Sequence, residues 1–477
     1  MQYADYMALL PLMVLSAACA AVMLLIAARR HHGLTVLLTL TGLAASLAVF
    51  PVALRHTPIQ VTALLTVDAY SLFFFVLILL ATAATALLGH AYFHAWGGHR
   101  EEFYLLLLIA SLGACVLAMS RHFAAFFIGL EILSIALYAL IAYPRRRSAS
   151  VEAGLKYLVL AAGSAGFLLF GMALIYAEQG TLDFSALTGG LSHSGPPSLV
   201  LIAGLALVMV GVGFKLALVP FHMWTADVYQ GAPAPVTAFI ATVSKSAMVA
   251  LLARLLAPLD LHAAPGLFNA LAALAAASMV GGNLLALRQQ SVKRLLAFSS
   301  IAHLGYVLVA MLAAGPAFVP AVMFYMTAYT ISQLGAFGVI AVRSTQAAEA
   351  DSLDTYHGLF YEHPWLAAVL TAMLLSLAGI PLTAGFIGKF YVITAGAQGR
   401  LWWLVITLVV TSGIGLFYYL RVVVALFSPA PAGQTLPTNA SPAAFSGAVV
   451  LSVTTCLLVW LGCTPEFLVR LLQRAAP

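Results

Sequence analysis

Apolar stretches of about twenty residues follow one another almost without interruption from residue 7 to residue 463. They fall near 7–28, 34–54, 68–90, 102–120, 123–143, 153–177, 198–229, 236–257, 265–287, 294–314, 318–342, 363–397, 401–427 and 443–463, fourteen in all. A bilayer core of about 30 Å takes about twenty helical residues, so each stretch is predicted to be a membrane-spanning helix. Composition agrees: 63% of the 477 residues are hydrophobic and 8% are charged, against roughly 45–50% and about 25% in soluble domains. These values exclude an ordinary cytosolic enzyme, a disordered chain and a nucleic-acid binder. The chain is predicted to be an all-α polytopic membrane protein forming one membrane domain over residues 1–477. The first stretch has no basic residues before it and no convincing cleavage site, which makes it a retained helix. Cys19, Cys115, Cys456 and Cys463 match no metal or redox spacing and read as small buried hydrophobes.

Two stretches are too long for one straight crossing. At 1.5 Å per residue, 198–229 would extend about 48 Å and 363–397 about 52 Å. Each contains a proline, Pro220 and Pro381, which removes a backbone donor and clashes with the preceding turn. Both are therefore predicted to be broken helices. Spans 4–8 cover 102–257 and spans 9–13 cover 265–427; each block has five spans, and the fourth of each is the broken one. An odd number of spans makes the second block enter from the opposite side, so the two blocks are expected to be inverted repeats of the transporter kind. Spans 1–3 (1–101) precede the repeats, and span 14 with the C-terminus (443–477) follows them. The stretch 428–442, with four prolines, is expected to be an exposed loop.

The net charge of +6 bears on orientation. Odd-numbered loops carry Arg29, Arg30, Arg100, Arg145, Arg146, Arg147, Arg288, Lys293, Arg294 and Arg343. Even loops and termini carry Arg55, Arg121, Arg254, Arg400, Arg470 and Arg474. This bias places odd loops in the cytoplasm and both termini on the opposite side.

Lysine and arginine are divided unevenly. Sixteen arginines lie almost entirely in loops or at span ends, whereas four of the five lysines, Lys156, Lys215, Lys245 and Lys389, fall inside apolar stretches. Lys293 alone is assigned to a loop. Burial brings a lysine toward neutrality, whereas arginine stays charged, so lysines at these positions point to groups that lose and regain a proton. Glu131 is the sole acid deep in a span and must be neutral, paired or hydrated there. It reads either as part of a structural ion pair or as half of a proton-handling pair. Lys215 precedes Pro220 by five residues, at a break where irregular backbone lines a cavity. His222 follows the same break, as a proton shuttle or a hydrogen-bonded core histidine. Lys245 lies about 15 Å along span 8, and Lys389 follows the second break. Lys156 has Glu152 four residues before it, a favourable helical pair that also suits a span end at the membrane surface. His303, among hydroxyl residues in span 10, either links the two halves through water or is a satisfied polar residue. No P-loop, dinucleotide fingerprint, cysteine ligand set or haem pattern stands out.

The segments Gly213-Phe214-Lys215 through Pro220-Phe221-His222-Met223-Trp224 and Asp227-Val228-Tyr229-Gln230-Gly231-Ala232-Pro233 closely resemble the signature of the antiporter-like membrane subunits of respiratory complex I, the proton-translocating NADH:quinone oxidoreductase. Lys293 through Tyr306 and Gly379-Ile380-Pro381 to Lys389-Phe390 are similar to further parts of it, and the resemblance extends over essentially the whole chain. Fourteen spans without a long C-terminal extension fit the shorter members of the family, as does lysine at 389. One departure is Ala226, where the family usually has proline before Asp-Val-Tyr; no titratable group is lost by it.

The resemblance implies that Glu131 and Lys215 form a glutamate–lysine pair, that Lys245 is the central lysine and that Lys389 is the terminal one, with Lys156 and His222 on further polar positions. It implies proton movement through a Glu/Lys/His relay, coupled to quinone reduction elsewhere. No cofactor is expected in this chain; NAD, FMN, iron–sulfur clusters and quinone are expected in partner subunits. Partners would be the other membrane and peripheral subunits of the complex, neighbouring antiporter-like subunits among them, together with membrane lipid and no nucleic acid. The expected location is the bacterial inner membrane, multi-pass, with both termini periplasmic. A subunit of a multi-subunit sodium/proton antiporter and a non-transporting membrane scaffold stay open as alternatives.

Overall fold

A computed structural model describes residues 2–94, 99–185, 187, 198–259, 261, 264–313, 315, 317–344, 349–429 and 444–475. Among these residues, thirteen helices are long and apolar enough to cross a membrane: Tyr3–Ala28, His32–Leu54, Ala69–Phe93, Glu102–Met119, Phe123–Ile141, Ser148–Gln179, Leu199–Leu216, Ala234–Leu256, Pro265–Leu287, Val292–Leu312, Phe318–Arg343, Trp402–Phe427 and Phe445–Cys463. The remaining expected crossing, 363–397, consists of two 15-residue helices, Pro364–Ala378 and Ala384–Gln398. Each is about 22 Å long, too short to cross alone.

Both breaks are built the same way. Leu199–Leu216 ends where Ala217 turns left-handed (φ 61), with Ala217 N bonded to Phe214 O and Leu218 N to Gly213 O. Pro364–Ala378 ends at left-handed Gly379 (φ 86), with Gly379 N bonded to Ser376 O and Ile380 N to Leu375 O. These paired bonds close the last turn as a Schellman ending, and a proline follows within three residues because it cannot continue the helix. The chain then resumes as Met223–Gly231 and as Ala384–Gln398.

Among the described residues, contacts between loops join loops of the same parity. Leu65 bridges Ser120, His122 bridges Asp183, and Ser291 bridges Ser352. Asp68 pairs with Arg254, Arg30 with Glu102, and Arg147 with Glu349. Alternate crossings must produce this pattern, since one miscounted span would place such partners on opposite sides of the membrane.

The peripheral helices Tyr3–Ala28 and His32–Leu54 leave much of their surface exposed, as lipid-facing helices do, whereas Ala234–Leu256 and Val292–Leu312 are buried along almost their whole length. Phe318–Arg343 is nearly as enclosed. These three helices form the centre of the bundle. Several details were not expected. An antiparallel hairpin, Ile59–Val61 with Leu65–Val67, occupies the loop after the second span. A single π-helical turn, Ile240–Ser244, interrupts the eighth span, and an amphipathic helix, Glu466–Ala475, follows the last one. Ser148–Gln179 is 32 residues long, about 48 Å, and starts earlier than expected. Lys293, assigned to a loop from sequence, is the second residue of Val292–Leu312 and has no exposed surface. Most of the proline-rich stretch 428–442 lies outside the described residues.

Candidate functional site

The break after Leu216 frees backbone carbonyls at a helix C-terminus, where the macrodipole is negative and cations are stabilised. Lys215 O is one of them, because Val219 N, its regular helical partner, donates to Ser278 Oγ instead. Lys245 Nζ donates to Lys215 O at 3.1 Å. The π turn directly precedes Lys245 in the chain, the kind of local insertion that recurs at functional positions in helices. The Lys245 ammonium also lies 5.3 Å from the centre of the Trp224 ring, and Trp224 Nε1 donates to Phe214 O across the break at 2.9 Å.

The Lys215 side chain reaches the neighbouring helices Phe123–Ile141 and Ser148–Gln179. Its Nζ donates to Ser134 Oγ at 2.6 Å and to Tyr157 OH at 3.4 Å, over the Tyr157 ring. Ser134 in turn donates to Leu130 O. The expected pairing with Glu131 is not formed: no ion pair joins the two residues among those described. Glu131 Oε1 is buried without a hydrogen-bond partner. Ser134 sits three residues on from Glu131, on the same face of Phe123–Ile141, and holds the lysine there.

The second break repeats the device. Lys389 Nζ donates to Ala378 O, the terminal carbonyl of the first half-helix, at 2.8 Å, and to Ser412 Oγ at 2.6 Å. It also lies over the Tyr306 ring. His303 is buried between Tyr325 OH, 2.6 Å from Nδ1, and Tyr419 OH, 3.1 Å from Nε2. A cavity of ≈ 10 Å³, lined by both His303 and Lys389 with Tyr325, Tyr329, Ser332 and Ser376, lies between them. That is room for about one water.

The structure therefore brings Lys215 close to Lys245, and Lys389 close to His303. It does not bring Lys156 or His222 into these groups. Lys156 is about half exposed and pairs with Glu152 at 2.7 Å and Asp227 at 3.0 Å. It lines an open depression of ≈ 670 Å³ on the odd-loop face, with Arg146, Arg147 and Glu349 among its walls. His222 stands at the break with Nδ1 buried and unpartnered, and no hydrogen bond links it to either lysine. The buried counterpart is Lys293, whose ammonium meets Glu349, Gln230 O and Ala232 O.

Sequence reasoning missed the hydroxyl and amide groups that surround the lysines. In Phe318–Arg343, Tyr325, Tyr329 and the neighbours Ser332 and Gln333 recur at helical spacing in an otherwise apolar segment. That polar stripe was the available signal. Among the described residues, no group of three or more His, Cys, Asp or Glu side chains is placed to hold a metal ion.

Known proteins share this fold. Residues 120–415 match the family described as NADH:quinone oxidoreductase/Mrp antiporter, TM. The chain is 47% identical, over 98% of its length and 96% of the relative's, to NADH-quinone oxidoreductase subunit N of Ectopseudomonas mendocina (strain ymp). It is similar to a chain of respiratory complex I from Thermus thermophilus with bound aureothin (TM-score 0.82, 35% identity, 96% of this chain and 98% of that one). It is also similar to a chain of the membrane-bound sulfane sulfur reductase, an archaeal respiratory membrane complex (TM-score 0.87, 26% identity, 98% and 96% covered). Matched in sequence over most of its length and in fold over nearly all of it, the chain belongs to the NADH:quinone oxidoreductase/Mrp antiporter family of membrane subunits.

Proposed function

We propose that this chain is the subunit N of a bacterial NADH:quinone oxidoreductase and moves protons across the inner membrane through a buried lysine–histidine relay. One observation carries the reading. Lys215, Lys245 and Lys389 are buried and donate only to uncharged oxygens, from Ser134, Tyr157, Ser412 and two backbone carbonyls. No carboxylate pairs with any of them among the described residues. A lysine kept for structural charge would have a counterion, as Arg254 has Asp68 and as buried charges generally require. A lysine without one is free to cycle its proton, which arginine cannot do.

In this reading, protons are taken up through the block 102–257, pass from Lys245 to His303 and leave through the block holding Lys389. The two blocks act as inverted repeats. Glu131 and Lys215 form the switch, and Ser134 holds it open; closing it takes Lys215 Nζ from Ser134 to the unpartnered Glu131 Oε1. Lys156 and His222, off the buried row, serve proton uptake from the odd-loop face. NAD, FMN, iron–sulfur clusters and quinone belong to partner subunits, among them neighbouring antiporter-like subunits, and their redox chemistry drives the switch. Both termini are periplasmic.

The test is Lys215→Arg and Lys389→Arg, with pumping in membrane vesicles normalised to assembled complex. Both variants are expected to assemble and to lose pumping at least tenfold, with quinone reductase activity falling less. Full pumping by both would leave these lysines as structural charges and refute the relay.

A further inference from the structure

Gln333 lies on Phe318–Arg343, within one helical turn of Thr330 and Tyr329. It has no exposed surface, and neither its Oε1 nor its Nε2 has a hydrogen-bond partner among the described residues. A primary amide carries one acceptor oxygen and two donor hydrogens, and leaving both ends unmet in a protein interior is costly. Tyr229 OH is buried and unpartnered as well. The Tyr229 ring packs 6.0 Å from the ring of Phe337, four residues beyond Gln333 on the same helix face. Both groups border the Tyr329–Ser300 pair, Gln333 beside Tyr329 and Tyr229 beside Ser300, yet neither makes a hydrogen bond of ordinary length at the core of the bundle.

Their surroundings lead in both directions. Three residues before Gln333, Thr330 Oγ1 lies 3.3 Å from the Oγ of Ser246, the residue after Lys245. Four residues before it, Tyr329 OH donates to Ser300 Oγ at 2.7 Å, and the Tyr329 ring lies 5.5 Å from that of His303. Ser332, adjacent in sequence, lines the small cavity shared by His303 and Lys389.

We infer that Gln333 and Tyr229 hold water at the junction of the two halves, and that Gln333 is the positioning residue through which a proton passes from Lys245 to His303. The amide itself does not titrate. Its oxygen accepts from one water and its nitrogen donates to a second, which orients the two waters toward each other: Lys245 gives a proton to the first, the first passes one to the second, and the second passes one to His303, leaving both waters and the amide as they began. Buried waters making about three such bonds are ordinary where polar groups are otherwise unmet. The inference rests on the relay reading above.

The experiment compares Gln333→Met, which has similar length but holds no water, with Gln333→Glu, which keeps the shape and both kinds of polar contact when protonated. Pumping and quinone reductase activity are measured in vesicles, normalised to assembled complex, with Lys245→Met alongside. Gln333→Met is expected to assemble and lose pumping at least fivefold, while Gln333→Glu retains at least half. Pumping by Gln333→Met within twofold of wild type overturns the inference. So does an equal loss in Gln333→Glu, or failure of Gln333→Met to assemble, because the amide then serves packing alone. Normal pumping by Lys245→Met would instead bring down the relay reading itself. Impaired Lys245→Met beside normal Gln333→Met removes only the role of Gln333.

Discussion

Lys245 and Lys389 each rest on a carbonyl oxygen at the end of a half-helix, Lys215 O for one and Ala378 O for the other. Such an oxygen carries only a fraction of a charge, yet it lies at the negative end of a helix dipole. It steadies an ammonium without committing it, as a carboxylate would. Lys293 shows the opposite arrangement, gripped by Glu349 and two carbonyls, and suits a fixed tie between loops. The position of Gly379 makes Lys389 sensitive to its neighbours. Any Cβ added there would lie 2.8 Å from Lys389 Cδ and 3.3 Å from Nζ, on a backbone at φ +86. Gly379→Ala is therefore expected to cost about 1–2 kcal/mol in backbone strain and to push Lys389 off Ala378 O. Thermal melting of the purified complex and vesicle pumping should both decline. Unchanged pumping would show that Lys389 does not depend on that carbonyl.

At the scale of elements, the breaks matter because they open the helix at the depth of the lysines while their caps keep every other turn intact. The returning half-helix Ala384–Gln398 packs tightly against the outgoing one: a Cβ on Gly385 would stand 1.9 Å from Ser376 O, a backbone atom that cannot move aside. Gly385→Ala is expected to prevent the halves from seating, lowering assembled complex severalfold on native gels; normal assembly would mean the break tolerates separation. Asp68 anchors another element. It caps Ala69–Phe93 through Ser71 N and makes two hydrogen bonds to Arg254, at 2.8 and 2.9 Å. Burial alone would raise its pKa, but the bonds and charge of Arg254, with the Ser71 contacts, outweigh this and hold the carboxyl below the usual aspartate range. A depressed carboxyl stabilises the fold above its unfolded pKa and ceases to do so as pH falls through the folded value. The contribution is thus complete near neutrality and disappears below about pH 3.8. Asp68→Asn should cost about 2 kcal/mol at pH 7, measured by chemical denaturation in detergent. An undiminished stability at that pH would assign the pair no energetic role.

For the whole molecule, the parity of loop contacts and the arginine bias together define two faces. With the native cysteines replaced, single cysteines at Ser148 and Ala63 should react with an impermeant thiol reagent from opposite sides, Ser148 from the cytoplasm in inverted vesicles. Reaction from the same side would break the alternation on which the fourteen crossings depend. The most enclosed helices, Ala234–Leu256, Val292–Leu312 and Phe318–Arg343, include those that carry Lys245 and His303, so both groups lie where lipid is farthest away.

Hydropathy alone determined the crossings and their breaks, because a bilayer demands apolar length from every span and a proline interrupts any helix in the same way wherever it falls. The lysines could be singled out for the same reason: charge inside an apolar run is costly in any fold. Which charges are truly enclosed was decided only by packing. Lys156 proved half exposed because Ser148–Gln179 is longer than the membrane is thick, and Lys293 proved buried because loops of one parity close over the start of its helix. The partners of Lys215, Lys245 and Lys389 were equally beyond sequence, since Ser134, Lys215 O and Ser412 come from other elements. The π turn at Ile240–Ser244 is invisible to periodicity, and a polar stripe shows that Gln333 faces inward but not that its amide lacks a partner. A one-dimensional pattern reports what a residue needs from its surroundings; only the assembled bundle determines whether those needs are met, and by which atoms.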